Sequence, residues 1–164
     1  MIEYLGSLLV LIAAVALFFV LGRARYNQFG TTQVALRVLV ALPLLISAVV
    51  IHFLRTNEAT AMLPPIFPAT IFPSPANLVI GTGVLEILGA IGLFVPRVRR
   101  SAALWIAIMM ILIFPVNVFV AGQTFGGLQM PSVPVRLAMQ VIYIWMVLLA
   151  GYGLPGRNAK AIQS

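Results

Sequence analysis

The chain has 164 residues, 62% of them hydrophobic and only 8% charged, with a mean hydropathy of +1.12. A soluble domain carries about 25% charged residues, so this composition excludes a water-facing globule and points to an integral membrane protein of one domain. The net charge of +7 comes without a basic helix or an aromatic-interleaved basic patch, which excludes nucleic acid as a partner, and the lack of cysteine excludes disulfides, thiolate chemistry and cysteine-held iron–sulfur clusters.

A membrane-spanning helix needs about 20 mostly apolar residues. Segments 4–21, 36–55, 77–95, 102–122 and 136–153 meet that requirement, and none shows strand-like alternation. The fold class is therefore an all-α membrane protein with five transmembrane helices. The first, within residues 1–22, reads as a span rather than a cleaved signal. Its early charge is Glu3, not a basic n-region, and the apolar run continues to Leu21.

In the second helix Arg37, Ala41, Leu44, Ala48, His52 and Arg55 recur at helical spacing. His52 falls about one turn from the end of the span. It reads either as a capped interfacial histidine or as a pocket group. The loop that follows, 56–76, holds Pro64, Pro65, Pro68, Pro73 and Pro75 among Met62, Leu63, Ile66, Phe67, Ile71 and Phe72. Proline blocks a continuous helix, yet the loop is too apolar for a solvated linker. It reads as a lid over the helix mouths or as an interfacial anchor.

The third helix carries GTGVLEILGAIG at 81–92, with Glu86 as its mid-segment acid. Positions three and four away are Thr82, Gly83, Gly89 and Ala90, all small, whereas Val84, Leu88, Ile91 and Val95 lie opposite. Small residues let another helix approach closely in lipid, so Glu86 is expected to point into protein. An ionisable group there must be protonated, paired or hydrated.

The fourth helix places Asn117 two residues after Pro115. A proline inside a span frees a backbone carbonyl. Asn117 then serves a partner or ligand, or bonds to the kinked backbone. The loop QTFGGLQMPSVPV that follows is expected to be irregular. In the fifth helix Arg136, Gln140 and Tyr143 share a stripe at i, i+4 and i+7, and Arg136 either snorkels to the interface or reaches inward. Trp105 and Trp145 read as packing or lipid contacts.

Arg23, Arg25, Arg37, Arg97, Arg99, Arg100, Arg157 and Lys160 fall on one side of a five-span chain, against Arg55 and Arg136 on the other. The positive-inside rule then puts the N-terminus outside and the tail, 154–164, in the cytoplasm. In that frame His52, Asn117 and Gln140 lie about one turn below the outer surface, with Glu86 about two turns deeper as the floor of an outward-facing polar pocket. Glu86 is either paired with Arg136 or His52 as a structural lock, or is a neutral acid at the bottom of a ligand cavity. The second is favoured.

The elements HF at 52–53, GVLEILGAIGLFVPRVRRSAA at 83–103, FPVNVFVA at 114–121 and VRLAMQ at 135–140, in this order, resemble the DoxX family of small membrane proteins over about residues 36–153. Where that family often has a proline in the last element, this chain has Ala138 and Met139. The resemblance implies a four-helix membrane bundle made by the last four spans, with the first helix an addition. Some DoxX members are subunits of thiosulfate:quinone oxidoreductase and others belong to oxidative-stress complexes. Related proteins are chaperones or cargo receptors in eukaryotic membranes. The resemblance carries over the polar set His52, Glu86, Asn117, Arg136 and Gln140, without a catalytic assignment.

Three functions compete on this reading. The first is a membrane subunit of a quinone-linked oxidoreductase in a bacterial plasma membrane, with Glu86 and His52 handling protons. One histidine and no cysteine leave no metal or haem ligand set, so a protein partner brings the electron carrier and quinone is the cofactor. The second is a non-enzymatic chaperone or scaffold for membrane proteins. The third is a binder or transporter of a small apolar molecule, against which stands the absence of an inverted repeat. Whether the chain is an enzyme stays open at this level.

Overall fold

The computed structural model describes residues 32–64, 74–125 and 127–153. The expected first helix and the tail at 154–164 lie outside the described residues. Among the described residues, four helices are long and apolar enough to cross a membrane: 33–54, 75–92, 99–119 and 133–152. They correspond to the second to fifth expected spans, with boundaries shifted by a few residues.

Helix α1 runs Thr32–Ser47 and continues as a π-helical segment, Ala48–Leu54. The wider turn is closed by the Arg55 amide donating to the Val50 carbonyl at 3.1 Å. π-turns are rare and concentrate at functional sites, and this one contains His52. Nothing in the period of the apolar residues announced it. A short helix, α2 (Thr56–Ala61), follows where a proline-broken loop was expected. It forms because the prolines begin only at Pro64. Thr56 donates to the His52 carbonyl at 2.7 Å, and Arg55 grips Glu58 through Nε at 3.0 Å. That ion pair is more than a third exposed, so Glu58→Ala should cost less than about 1 kcal/mol in a thermal melt in detergent. The stretch 65–73 of the expected lid lies outside the described residues.

Helix α3 (Pro75–Gly92) starts on a Ser74 cap whose Oγ accepts from the Asn77 amide at 3.2 Å, with Pro75 as first residue. Helix α4 (Arg99–Phe119) contains Pro115. Between α4 and the last helix the chain forms a small antiparallel hairpin, β1 (Thr124–Phe125) with β2 (Leu128–Gln129), Thr124 facing Gln129. This corrects the expectation of an irregular loop. The ladder is extended by the Met130 amide donating to the Gln123 carbonyl at 2.8 Å, and glycine supplies the turn. Helix α5 (Val133–Tyr152) stops at Gly153, whose φ of 96° suits glycine.

The helices form a closed ring: α1 packs on α3, α3 on α4, α4 on α5, and α5 back on α1. Successive helices are antiparallel, so Arg37, Arg99 and the C-terminus of α5 share one end, and Arg55 and Arg136 the other. At the basic end two arginines serve helix termini. Arg37 Nε donates to the Ala150 carbonyl at 3.2 Å, and Arg99 Nε to the Leu93 carbonyl at 3.0 Å. Cations suit the carbonyl-rich ends of α3 and α5.

The core occupies the basic half. Val40, Ala41, Leu44, Ala90, Leu93, Ala103, Ile106, Val147 and Ala150 are buried there as one cluster. By contrast Val84, Leu88, Ile91 and Val95 are exposed, as the sequence pattern requires of a lipid-facing side. The small face of α3 is a helix contact, and it serves two partners. A Cβ on Gly83 would lie 2.6 Å from His52 Cβ on α1, and one on Gly89 would lie 2.7 Å from Ile106 Cγ1 on α4.

Candidate functional site

The half of the bundle away from Arg37 and Arg99 holds a cavity. It has a volume of about 550 Å³ and lies between α1, α3 and α4, roofed in part by Ala59, Met62 and Leu63 around α2. Its wall is mostly apolar, and its polar residues are Ser47, His52, Thr82, Glu86 and Asn117. The size and the sparse polar groups match a small-molecule site.

His52 and Glu86 are buried, at 8% and 6% exposure, and meet at 3.5 Å between Nε2 and Oε1. The sequence placed Glu86 two turns below His52, and the structure brings the side chains together for a geometric reason. Side chains lean toward the N-terminus of their own helix. Helix α1 runs away from the basic end and α3 runs toward it, so His52 leans inward and Glu86 outward until they converge. Gly83 lets the two backbones come close enough.

The proton count of this pair follows from its partners. His52 Nδ1 lies 2.7 Å from the Val79 carbonyl, which can only accept, so Nδ1 carries a hydrogen. Thr82 Oγ1 donates to the same carbonyl at 2.8 Å and sits 3.1 Å from Nδ1. In a neutral ring Nε2 is then a bare acceptor facing a carboxyl oxygen. The contact is favourable with one proton between them, held either by Glu86 or by the ring. Both arrangements have zero net charge, which is what an apolar wall tolerates. The second carboxyl oxygen, Oε2, is buried without a hydrogen-bond partner. Such an atom is costly to leave unmatched, by about 1–3 kcal/mol, and a small rotation of the carboxyl would offer it to an occupant of the cavity. The pair can therefore donate a proton to, or accept one from, a molecule bound there.

A second polar chain braces the α4 wall. Arg136 Nη1 donates to Asn117 Oδ1 at 2.9 Å, Asn117 Nδ2 donates to Gln140 Oε1 at 2.9 Å, and Gln140 Nε2 donates to the Met110 carbonyl at 2.7 Å. Arg136 also donates from Nε to the Pro131 carbonyl at 3.2 Å. Arg136 thus reaches inward, toward Asn117, and the partner of Glu86 is His52. Of the six residues singled out in the sequence, His52, Glu86 and Asn117 line the cavity. Arg136 and Gln140 stand behind Asn117 and fix its amide. Tyr143 serves elsewhere: its hydroxyl donates to the Val40 carbonyl, three residues before Pro43, in the turn that this proline interrupts. Arg136→Ala should leave the Asn117 oxygen without this donor and lower thermal stability in detergent by about 1–3 kcal/mol.

Sequence reasoning missed several parts of the site. Thr82 counted only as a small neighbour, yet its hydroxyl joins the His52 contact. Trp105 was read as a packing or lipid residue, and it lines the cavity together with Met109 and Met110. The signal was present in the run of flexible methionines, which fill irregular apolar space.

Comparison with known families gives one match. The family model for a domain of unknown function, DUF8561, covers residues 30–150, most of the chain. The chain belongs to the DUF8561 family. The matched region contains the first three described spans, all but the last two residues of the fourth, the cavity and both polar networks, so these are parts of the DUF8561 domain itself. No curated protein and no solved structure matches this DUF8561 chain.

Proposed function

We propose that this DUF8561 chain is a DoxX-like plasma-membrane protein that binds a small lipophilic molecule with a polar head, of the quinone class, and serves a quinone-linked redox complex. The observation that carries this reading is the His52–Glu86 pair set in the wall of an otherwise mostly apolar cavity of about 550 Å³. An apolar ring fits such a wall. The head-group oxygens of a quinone only accept hydrogen bonds, and those of the hydroquinone also donate. A pair holding one proton in either position suits both forms. The interconversion takes two electrons and two protons; the electrons come from a partner protein, because the chain has no cysteine and one histidine. His52 and Glu86 handle a proton, Val79 and Thr82 orient the ring of His52, and Asn117 offers its remaining amide hydrogen from the opposite wall. In this reading the arginine-rich end is cytoplasmic and the cavity belongs to the outer half of the membrane.

The test is quinone reduction by membranes carrying the native chain or Glu86→Gln. A positioned proton carrier contributes about 10²–10⁴ in rate, so a loss on the order of 100-fold is expected. An unchanged rate at every pH would sink the proton-handling role. Mass spectrometry of the purified protein is the complement: a stoichiometric lipophile supports the reading, whereas a stoichiometric protein without one favours a scaffold.

A further inference from the structure

The cavity has a side as well as a roof. Helices α3 and α4 approach most closely at their basic ends. There a Cβ on Gly92 would lie 2.7 Å from Ala102 Cβ, and one on Gly89 would lie 2.7 Å from Ile106 Cγ1. Two turns further along, the antiparallel pairing brings Leu85 and Thr82 of α3 opposite Met109 and Leu112 of α4. All four line the cavity. Two wall residues of α4 also face outward: Trp105 is 41% exposed and Leu112 is 67% exposed. On α3, Gly81 falls at helical spacing between the lining residues Leu78 and Leu85, at the edge of the cavity stripe, and a Cβ added there meets no atom within 4 Å. The cavity that holds Glu86 therefore shares its wall with the exposed flank of α4 at Trp105 and Leu112. That flank belongs to a candidate membrane span.

The geometry points to a lateral portal between α3 and α4, bordered by Leu78, Gly81, Leu85, Trp105 and Leu112, which holds the alkyl tail of the ligand while its polar head sits at His52 and Glu86. The ligand class is then a membrane-dissolved amphiphile with a chain, not a compact polar solute arriving from water. This rests on the proposed occupancy of the cavity and adds to it the tail and its route. In this proposal Gly81 keeps the portal open, since a larger residue there would extend into the open space beside Leu78 and Leu85. Trp105 forms the sill, 4.0 Å from the position of a Gly89 Cβ.

Native mass spectrometry of the full chain in detergent gives the test. Three probes are compared: a substituted benzoquinone without a chain, the same ring with a ten-carbon chain, and a ten-carbon chain ending in an amide. The tailed benzoquinone should bind at least tenfold more tightly than the tailless one. Gly81→Leu should abolish that increment while leaving the tailless affinity within about twofold. Glu86→Gln should weaken both quinones. Measuring the increment in the same detergent for both variants cancels partition of the tail into micelles. If Gly81→Leu leaves the increment intact, the portal is refuted and the head site stands. If neither quinone binds but the tailed amide does, with the same sensitivity to Gly81→Leu, the portal stands and the quinone reading falls. Failure of all three probes overturns both.

Discussion

Gly151→Ala is expected to destabilise the bundle more than any other single methyl addition to the described residues. An ideal Cβ at this position would fall 2.2 Å from Ala103 Cβ, 3.2 Å from the Arg99 carbonyl oxygen and 3.7 Å from Ala103 Cα. These neighbours cannot yield. One is the shortest side chain that carries a carbon, and the others are backbone of α4. Overpacking of this kind costs about 1–3 kcal/mol and sometimes more. Relief requires α4 and α5 to separate, which would also strain the contact between Arg37 and the Ala150 carbonyl. Gly151→Leu should abolish the folded bundle. Gly81→Ala is the internal control. It meets open space and replaces glycine by a residue favoured in helices by about 1 kcal/mol, so it should be neutral or stabilising. Thermal unfolding in one detergent would order the variants. Equal melting temperatures for Gly151→Ala and Gly81→Ala would show that α4 and α5 are not packed as described.

The four described spans were legible because hydrocarbon imposes a crude rule: about 20 apolar residues per helix. The pairing of helix ends followed from their alternation, and the structure gathers Arg37 and Arg99 at one end, opposite Arg55 and Arg136. The inward direction of Glu86 was legible for a different reason. Four small residues around it leave one face able to meet a helix, and Gly83 and Gly89 do so. What the sequence left open was which partner Glu86 holds. His52 and Arg136 were both candidates from the sequence, and the opposed lean of side chains on antiparallel helices brings His52 to Glu86 while Arg136 goes to Asn117. Backbone partners were equally hidden. The carbonyls of Val79, Met110 and Val40 each accept a side-chain hydrogen bond, and any residue type presents such a carbonyl. The π-turn at His52 belongs to the same class, since the sequence around it reads as an ordinary apolar helix.

His52→Ala should be costly in the native background and cheap once Glu86 is neutralised. Removing one partner of a buried pair leaves the other uncompensated, at about 3–5 kcal/mol when that partner is charged. Here the loss extends further, because Glu86 Oε2 already has no hydrogen-bond partner and Oε1 would lose its contact with the ring. A cost of about 2 kcal/mol or more is therefore expected. In a Glu86→Gln background the amide never ionises. There His52→Ala removes chiefly the Nδ1 contact with the Val79 carbonyl, at about 1 kcal/mol. The difference between the two costs is the coupling energy of the pair, and 0.5–3 kcal/mol is usual for residues in contact. Melting temperatures of the four chains, in one detergent and at one pH, supply the cycle. Equal costs in the two backgrounds would mean that no proton is shared between His52 and Glu86. The cavity would then keep its shape but lose the acid–base chemistry on which the quinone reading depends. A coupling of the expected size would instead show that His52 and Glu86 act as one unit in the cavity wall, which the proton-handling reading requires.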